Sequence, residues 1–256
     1  MSAPYNSIAQ EYKRSKQLPF RLHSEMYTFL NLLGDVRGKT VLDLACGDGT
    51  YSRLLKRQGA DRVVGVDMSE KMIELAVAEE TRAPLGIEYL VSPAEDIGKI
   101  AQFDLVVAAF LLNYAQTREQ LQQMCESIAL NLKPGGRFVG INNNQEQPPE
   151  TYPKCATYGF IKTIAGPLQP GRAITYIFVD PETQQEFRFD NYYLGQATYN
   201  AVLTETDFTD VCWHTPLISA AGVEEFGQVF WQDFLSYPPI LFLTFSKPDG
   251  DRPLAS

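Results

Sequence analysis

The residues whose types and spacing could do chemistry are concentrated in VLDLACGDGT, residues 41–50. Apolar residues flank an acid, Asp43, and the run ends in Gly47-Asp48-Gly49. A second apolar run, Arg62 to Val66, ends in another acid, Asp67, 24 residues further on (67 − 43). Glycines let a ligand approach the backbone closely. Turns of this kind often seat a phosphate on helix N-terminal amides. Here Asp48 sits inside the turn, and both it and Asp43 repel a phosphate and attract a cation. The third glycine of a dinucleotide fingerprint is replaced by Ser52. An acid at the end of the second strand can accept both hydroxyls of a ribose. The pattern therefore favours a ligand with a cationic end and a ribose but no phosphate.

These residues need a frame that brings two strand ends together. Residues 5–33 have a helical rhythm, with Ile8, Tyr12, Leu22, Met26, Phe29, Leu30 and Leu33 at three- and four-residue steps, and Gly34 ends it. Strands are expected over Thr40 to Ala45, Arg62 to Val66, Ile87 to Val91, Phe103 to Ala109 and Arg137 to Asn142. Helices are expected over Thr50 to Gln58, Glu70 to Glu80 with Ser69 as cap, and Thr117 to Leu132, where Lys133-Pro134-Gly135-Gly136 breaks the pattern. Such alternation specifies a parallel sheet with helices on both faces and right-handed crossovers. Its ligands sit at the carboxyl ends of the strands, where Asp67 and the Gly47 turn lie. After Asn142 the rhythm changes. A polar loop leads to two extended runs, RAITYIFVD and QEFRFDNYYL, joined by Pro181-Glu182-Thr183, which read as a hairpin. A helix near Gln196 to Thr206, a strand near Val211 to Thr215, a helix near Val223 to Leu235 and a strand from Ile240 to Phe245 follow.

Composition narrows the function. The 256 residues are 45% hydrophobic, enough for one large core with a small appended lobe. The formal net charge of −9, with no basic run, argues against a nucleic-acid partner. Lys13-Arg14-Ser15-Lys16 is the densest basic cluster and reads as a solvated helix face. The four cysteines form no CxxC pair and read as reduced, mostly buried thiols of a cytoplasmic protein rather than a metal site or disulfide framework. The first residues contain no apolar signal core, and the longest apolar run, Leu105 to Leu112, is too short to span a bilayer. Nothing in the sequence sets an oligomeric state.

A cationic amino-acid end, a ribose and no phosphate together describe S-adenosylmethionine. VLDLACGDGTYSRLL, VVGVDMSEKMIELA, VSPAEDI, FDLVVAAFLLNYA and LKPGGRFV, in that order over about residues 36 to 142, resemble the class I S-adenosylmethionine-dependent methyltransferases. The resemblance implies an α/β, Rossmann-like fold: a seven-stranded, mostly parallel sheet with its last strand antiparallel and with helices on both faces. It gives an N-terminal helical lid (1–35), a cofactor-binding core (36–145), an inserted substrate lobe with a β-hairpin (146–195) and a C-terminal part of the core sheet (196–256). It assigns Asp43, Ala45 and Gly47 to cofactor binding, with Asp43 and Gly47 at the methionine end. Asp67 takes the ribose, Met68 packs on the adenine face, and Ala94 and Glu95 align with the segment reading the adenine edge. The acid that often precedes that Ala is Pro93 here, so backbone groups or the side chains of Glu95 or Asp96 must do the reading. Phe110 lies near the methionine portion, and Tyr12, in YNSIAQEY, resembles a residue of a short helix folded over the cofactor.

Methyl transfer needs alignment more than acid–base help. The candidates on the acceptor side are His214 as a base, Asn113 and Tyr114 after the fourth strand, and Tyr176 and Tyr193 in an aromatic-rich lobe. The acceptor implied is a small aromatic or apolar metabolite, methylated on O, N or C. An Asn-Pro-Pro-Tyr signature for base methylation is absent after the fourth strand, and Tyr237-Pro238-Pro239 reads as a turn. Two alternatives stay open: an NAD-dependent oxidoreductase, and a non-catalytic S-adenosylmethionine-binding partner subunit.

Overall fold

The computed structural model describes residues 4–180 and 182–250. Pro181 of the expected hairpin turn, and the extreme ends of the first and last segments, lie outside the described residues. The described residues open with a 3-10 turn (Pro4–Ser7), followed by helix α1 (Ala9–Ser15), a π-helical turn (Arg21–Glu25) and α2 (Met26–Leu33). The expected continuous rhythm over 5–33 is thus several short pieces. A strand–helix alternation follows: β1 (Thr40–Leu44), α3 (Thr50–Arg57), β2 (Arg62–Asp67), α4 (Glu70–Arg82), β3 (Glu88–Val91), β4 (Phe103–Ala109), α5 (Arg118–Asn131) and β5 (Leu132–Asn143). The lobe contains a 3-10 segment (Pro149–Tyr158) and strands β6 (Phe160–Ile164), β7 (Ala173–Val179) and β8 (Glu186–Tyr192). The chain closes with α6 (Gln196–Glu205), β9 (Thr209–His214), α7 (Ala220–Ser236) and β10 (Ile240–Ser246).

The main sheet has seven strands in the order β3-β2-β1-β4-β5-β10-β9, and only β10 runs against its neighbours. Strand parity divides the core. Val41, Val63, Leu105 and Val107 pack on one face with Phe29, Leu33 and Leu55 of α2 and α3. Leu42, Leu44, Val64, Val106 and Ala108 pack on the other with Leu121, Cys125 and Ile128 of α5 and Tyr199 of α6. Central strands buried on both faces must be apolar throughout. Asp43 and Asp67 are buried acids that break this rule, and both share the strand parity of the face carrying α3.

Two local expectations change. Lys133-Pro134-Gly135-Gly136 does end α5, but these residues also form an excursion inside β5. Phe103 pairs with Leu132 and Leu105 with Arg137, so four residues on one strand oppose Asp104 on the other. The hairpin of the lobe is two-thirds of a three-stranded antiparallel sheet in the order β6-β7-β8. β6 was not anticipated, because Lys162 interrupts its apolar pattern. In α7 the helix breaks at Gly227, whose φ is +78°.

Gly65 fixes how closely β2 and β3 frame the site. A Cβ there would stand 2.7 Å from the Tyr89 ring and 2.9 Å from Cys46 Sγ. Gly65→Ala should therefore cost about 1–3 kcal/mol by overpacking. Chemical denaturation checks it, and an unchanged midpoint would refute it.

Candidate functional site

The turn after β1 is built from left-handed backbone. Ala45, Gly47 and Gly49 have φ of +56°, +57° and +76°. Ala45 is a non-glycine residue in that region, a mark of local strain often found at binding sites. The turn is pinned to β2, because Cys46 N donates to Val66 O at 3.0 Å and Gly47 N donates to Asp67 Oδ2 at 2.8 Å. Among the described residues, chain neighbours aside, Lys16 Nζ alone would lie within 4 Å of a Cβ at Gly47, so the backbone there faces open space.

Three carboxylates line this space. Asp43 is 1% exposed and accepts from Ser52 Oγ at 2.5 Å. Asp67 accepts from Gly47 N and, through Oδ1, from Ser69 N at 2.8 Å, which leaves lone pairs on both oxygens. Asp48 accepts from Lys16 Nζ at 2.7 Å and from Thr50 Oγ1 at 2.8 Å. Burial pushes Asp43 up to about 7 and raises Asp67 against the pull of its two backbone donors. Burial works in the same direction on Asp48, but the Lys16 ammonium outweighs it and holds the carboxyl below its ordinary range. Three carboxylates against one ammonium leave a surplus of two negative charges when all are ionised (3 − 1). That donor set fits a cation carrying hydroxyls and disfavours a phosphate.

The N-terminal segment closes over this edge. Asn6 Oδ1 accepts from Ser69 Oγ at 2.7 Å, and Ser69 caps α4 by accepting from Met72 N at 3.2 Å. The Tyr5 and Tyr114 hydroxyls share a hydrogen bond. Arg14 Nε donates to Asp180 of the lobe at 2.8 Å. The basic cluster is therefore not a solvated face: Lys16 and Arg14 each turn inward to a carboxylate. Deeper in, Arg21 pairs with Glu25 at 3.0 Å, Tyr51 Oη donates to Glu25 at 2.8 Å, and the rings of Tyr12, Phe20, Phe110 and Phe178 surround the guanidinium.

Beside the carboxylates lies a narrow aromatic cleft. Tyr5, Tyr12, Arg21, Phe110, Tyr176 and Phe189 are among its walls, with Asn143 and Asn191 as polar members. Phe110 adopts a φ of +64°, and its N donates to Ile141 O at 2.8 Å. The structure thus groups Tyr12, Phe110 and Tyr176 at one cleft, near the turn with Ala45 and Gly47 and the strand residues Asp43 and Asp67. Met68 is half-exposed beside Asp67. Ala94 is buried and its carbonyl accepts from Ser127 Oγ at 2.6 Å, whereas Glu95 is exposed. Asn113 is 1% exposed, and neither of its amide atoms has a hydrogen-bond partner among the described residues. Tyr193 follows β8 and is not among the cleft's walls. His214 stands on β9, an edge strand, with Nε2 2.9 Å from Thr244 Oγ1, and it is not a wall residue either.

Sequence reasoning missed Lys16, Arg21, Asn143 and Asn191. Only the Arg21–Glu25 spacing of four offered a signal. Among the described residues, no His, Cys, Asp and Glu group is placed to hold a metal ion, and no helix is long and apolar enough to cross a membrane.

Comparison with known proteins agrees with this geometry. Residues 41–136 match the family model described as a methyltransferase domain. A ubiquinone biosynthesis O-methyltransferase of Coxiella burnetii is 32% identical over 148 residues, covering 56% of this chain and 62% of that protein. The protein of the same name from Bordetella avium is 30% identical over 117 residues, covering 44% and 47%. The chain thus spans less than two thirds of the length of these curated relatives. Among solved structures, an S-adenosylmethionine-dependent methyltransferase from Mesorhizobium loti superposes with a TM-score of 0.63 at 18% identity, covering 91% of this chain and 99% of the other. The CcbJ methyltransferase from Streptomyces caelestis superposes at 0.67 with 16% identity, covering 96% and 98%. Residues 41–136 thus resemble a methyltransferase domain, and the fold is shared with these S-adenosylmethionine-dependent methyltransferases.

The carboxylate cluster sets a pH dependence. Asp43 has a folded pKa above its unfolded value, so the ligand-free protein loses stability as pH rises from about 4 through about 7. Asp43→Asn keeps an acceptor for Ser52 and removes the charge. It should raise the ligand-free melting temperature more at pH 8 than at pH 5, with a gain on the order of 1–3 kcal/mol at the higher pH. Equal gains at both pH values would count against the buried charge.

Proposed function

We propose that this protein is an S-adenosylmethionine-dependent methyltransferase acting on a small, aromatic or apolar acceptor. The surplus of buried carboxylate around an open glycine turn carries the reading. When bound, S-adenosylmethionine supplies a methyl group activated by its sulfonium. Asp43, Ala45 and Gly47 hold the methionine end, where the carboxylate surplus meets the ammonium and sulfonium. Asp67 offers its free lone pairs to the ribose hydroxyls, and Met68 covers the base. Ala94 and Glu95 frame the adenine edge, by position more than by side chain. Tyr12 and Phe110 wall the transfer point and exclude water.

The acceptor occupies the aromatic cleft, with Tyr176 and Tyr114 against it and Asn113 offering the hydrogen bonds it does not spend internally. Tyr193 borders the lobe more distantly. In this reading residues 1–35 act as the lid and 146–195 as the acceptor lobe. In-line displacement at carbon gains chiefly from such positioning, worth about 7–11 kcal/mol. No proton-transfer step is assigned to His214, whose ring is engaged with Thr244. The curated relatives named as ubiquinone biosynthesis O-methyltransferases support a small-molecule acceptor. An NAD-dependent oxidoreductase is disfavoured by the buried Ser52, bonded to Asp43 where that fingerprint needs glycine.

Calorimetric titration with S-adenosylmethionine, S-adenosylhomocysteine and NAD tests the reading. Both adenosyl ligands should bind, and Asp67→Ala should weaken them about tenfold to a hundredfold. Binding of NAD alone, or of none of the three, would overturn it.

A further inference from the structure

The lobe contains a buried cation that the reading above does not use. Lys162, on β6, is 3% exposed. Its ammonium donates to Gln147 Oε1 at 2.7 Å and makes no ion pair among the described residues. An ammonium has three N–H donors, so two remain. Its other close neighbours are ring faces, Tyr152 at 4.3 Å and Tyr176 at 5.4 Å from the centroids. Cys155 is also near, and burial pushes its thiol up, so it brings no charge at neutral pH. Ring faces offset the burial of a charge only in part. Desolvation lowers the Lys162 pKa to about 8, as expected of a cation without its anion.

Tyr176 connects this cation to the cleft. It is the register partner of Lys162 across β6 and β7, and its ring is a wall of the aromatic cleft. Its hydroxyl is buried and has no hydrogen-bond partner among the described residues. One face of the lobe sheet therefore presents an ammonium with two N–H groups unspent and, on the cleft's wall beside it, a phenol without a partner among the described residues.

We propose that the methyl acceptor carries an anionic oxygen, of the carboxylate or phenolate class, which Lys162 binds while Tyr176 supplies a second hydrogen bond. The apolar part of the acceptor then lies against the cleft's aromatic rings. Lys162 is a specificity-determining residue that selects anionic over neutral acceptors. This deepens the transferase reading and rests on it.

The test uses benzoate as probe and benzamide as its neutral isostere. Each is titrated into the full chain by calorimetry, with and without saturating S-adenosylhomocysteine. Benzoate should bind at least tenfold more tightly than benzamide. Lys162→Met should abolish that preference, and Lys162→Arg should keep it. Equal binding of the two probes, no binding of benzoate, or a preference that survives in Lys162→Met would each overturn the proposal. Thermal unfolding checks the variants; should Lys162→Met not fold, Lys162→Gln, which keeps a polar head without the charge, takes its place and should likewise abolish the preference. S-adenosylhomocysteine binding is read separately. Its failure sinks the transferase reading, whereas its success with no benzoate preference sinks only the assignment of Lys162.

Discussion

The organisation of the site depends on keeping three carboxylates, Asp43, Asp48 and Asp67, buried around one ammonium, Lys16. Charges taken out of water demand compensation, and the local structure can be read as that compensation. Ser52 at the start of α3 donates to Asp43. The left-handed turn aims the Gly47 amide at Asp67, and the α4 cap region adds Ser69 N. Lys16 arrives from a separate element, at the end of α1, and its bond to Asp48 ties the N-terminal segment to the turn. Each carboxylate is met by one to three donors. None is saturated, and that leaves both shape and charge for a ligand.

Much of this was legible in the sequence. Asp43 and Asp67 stood out because a polar residue in a doubly buried strand is anomalous, and the glycines between them showed where the backbone turns. The strand–helix alternation gave the parallel sheet for the same reason: period and length are local properties. The fate of Lys16 was not legible. A lysine among Lys13, Arg14 and Ser15 reads as solvated, and only the packing of α1 against the turn buries it. β6 was hidden in the same way, since Lys162 is acceptable in a strand interior only after Gln147, Tyr152 and Tyr176 gather around it. The motif after α5 was half legible. Proline and two glycines announce the end of a helix, but not that the strand has already begun and loops out between its pairs at Leu132 and Arg137.

The N-terminal segment joins parts of the molecule that the sheet alone leaves separate. Asn6 and Lys16 hold it to the core, and Arg14 holds it to the lobe at Asp180. The Tyr5 ring sits 5.5 Å from Phe189 of the lobe, and its hydroxyl meets Tyr114 after β4. The cleft is thus walled by stretches distant in sequence, and its shape is set by their mutual register rather than by any one of them.

The uncompensated charge also links the protein's durability to its surroundings. A ligand that neutralises the surplus binds the folded chain and not the unfolded one. Above its dissociation constant, every tenfold rise in ligand concentration then adds about 1.4 kcal/mol to folding stability. The empty form is the strained one, so the folded population, and with it the resistance of the chain to proteolysis, becomes a readout of ligand supply.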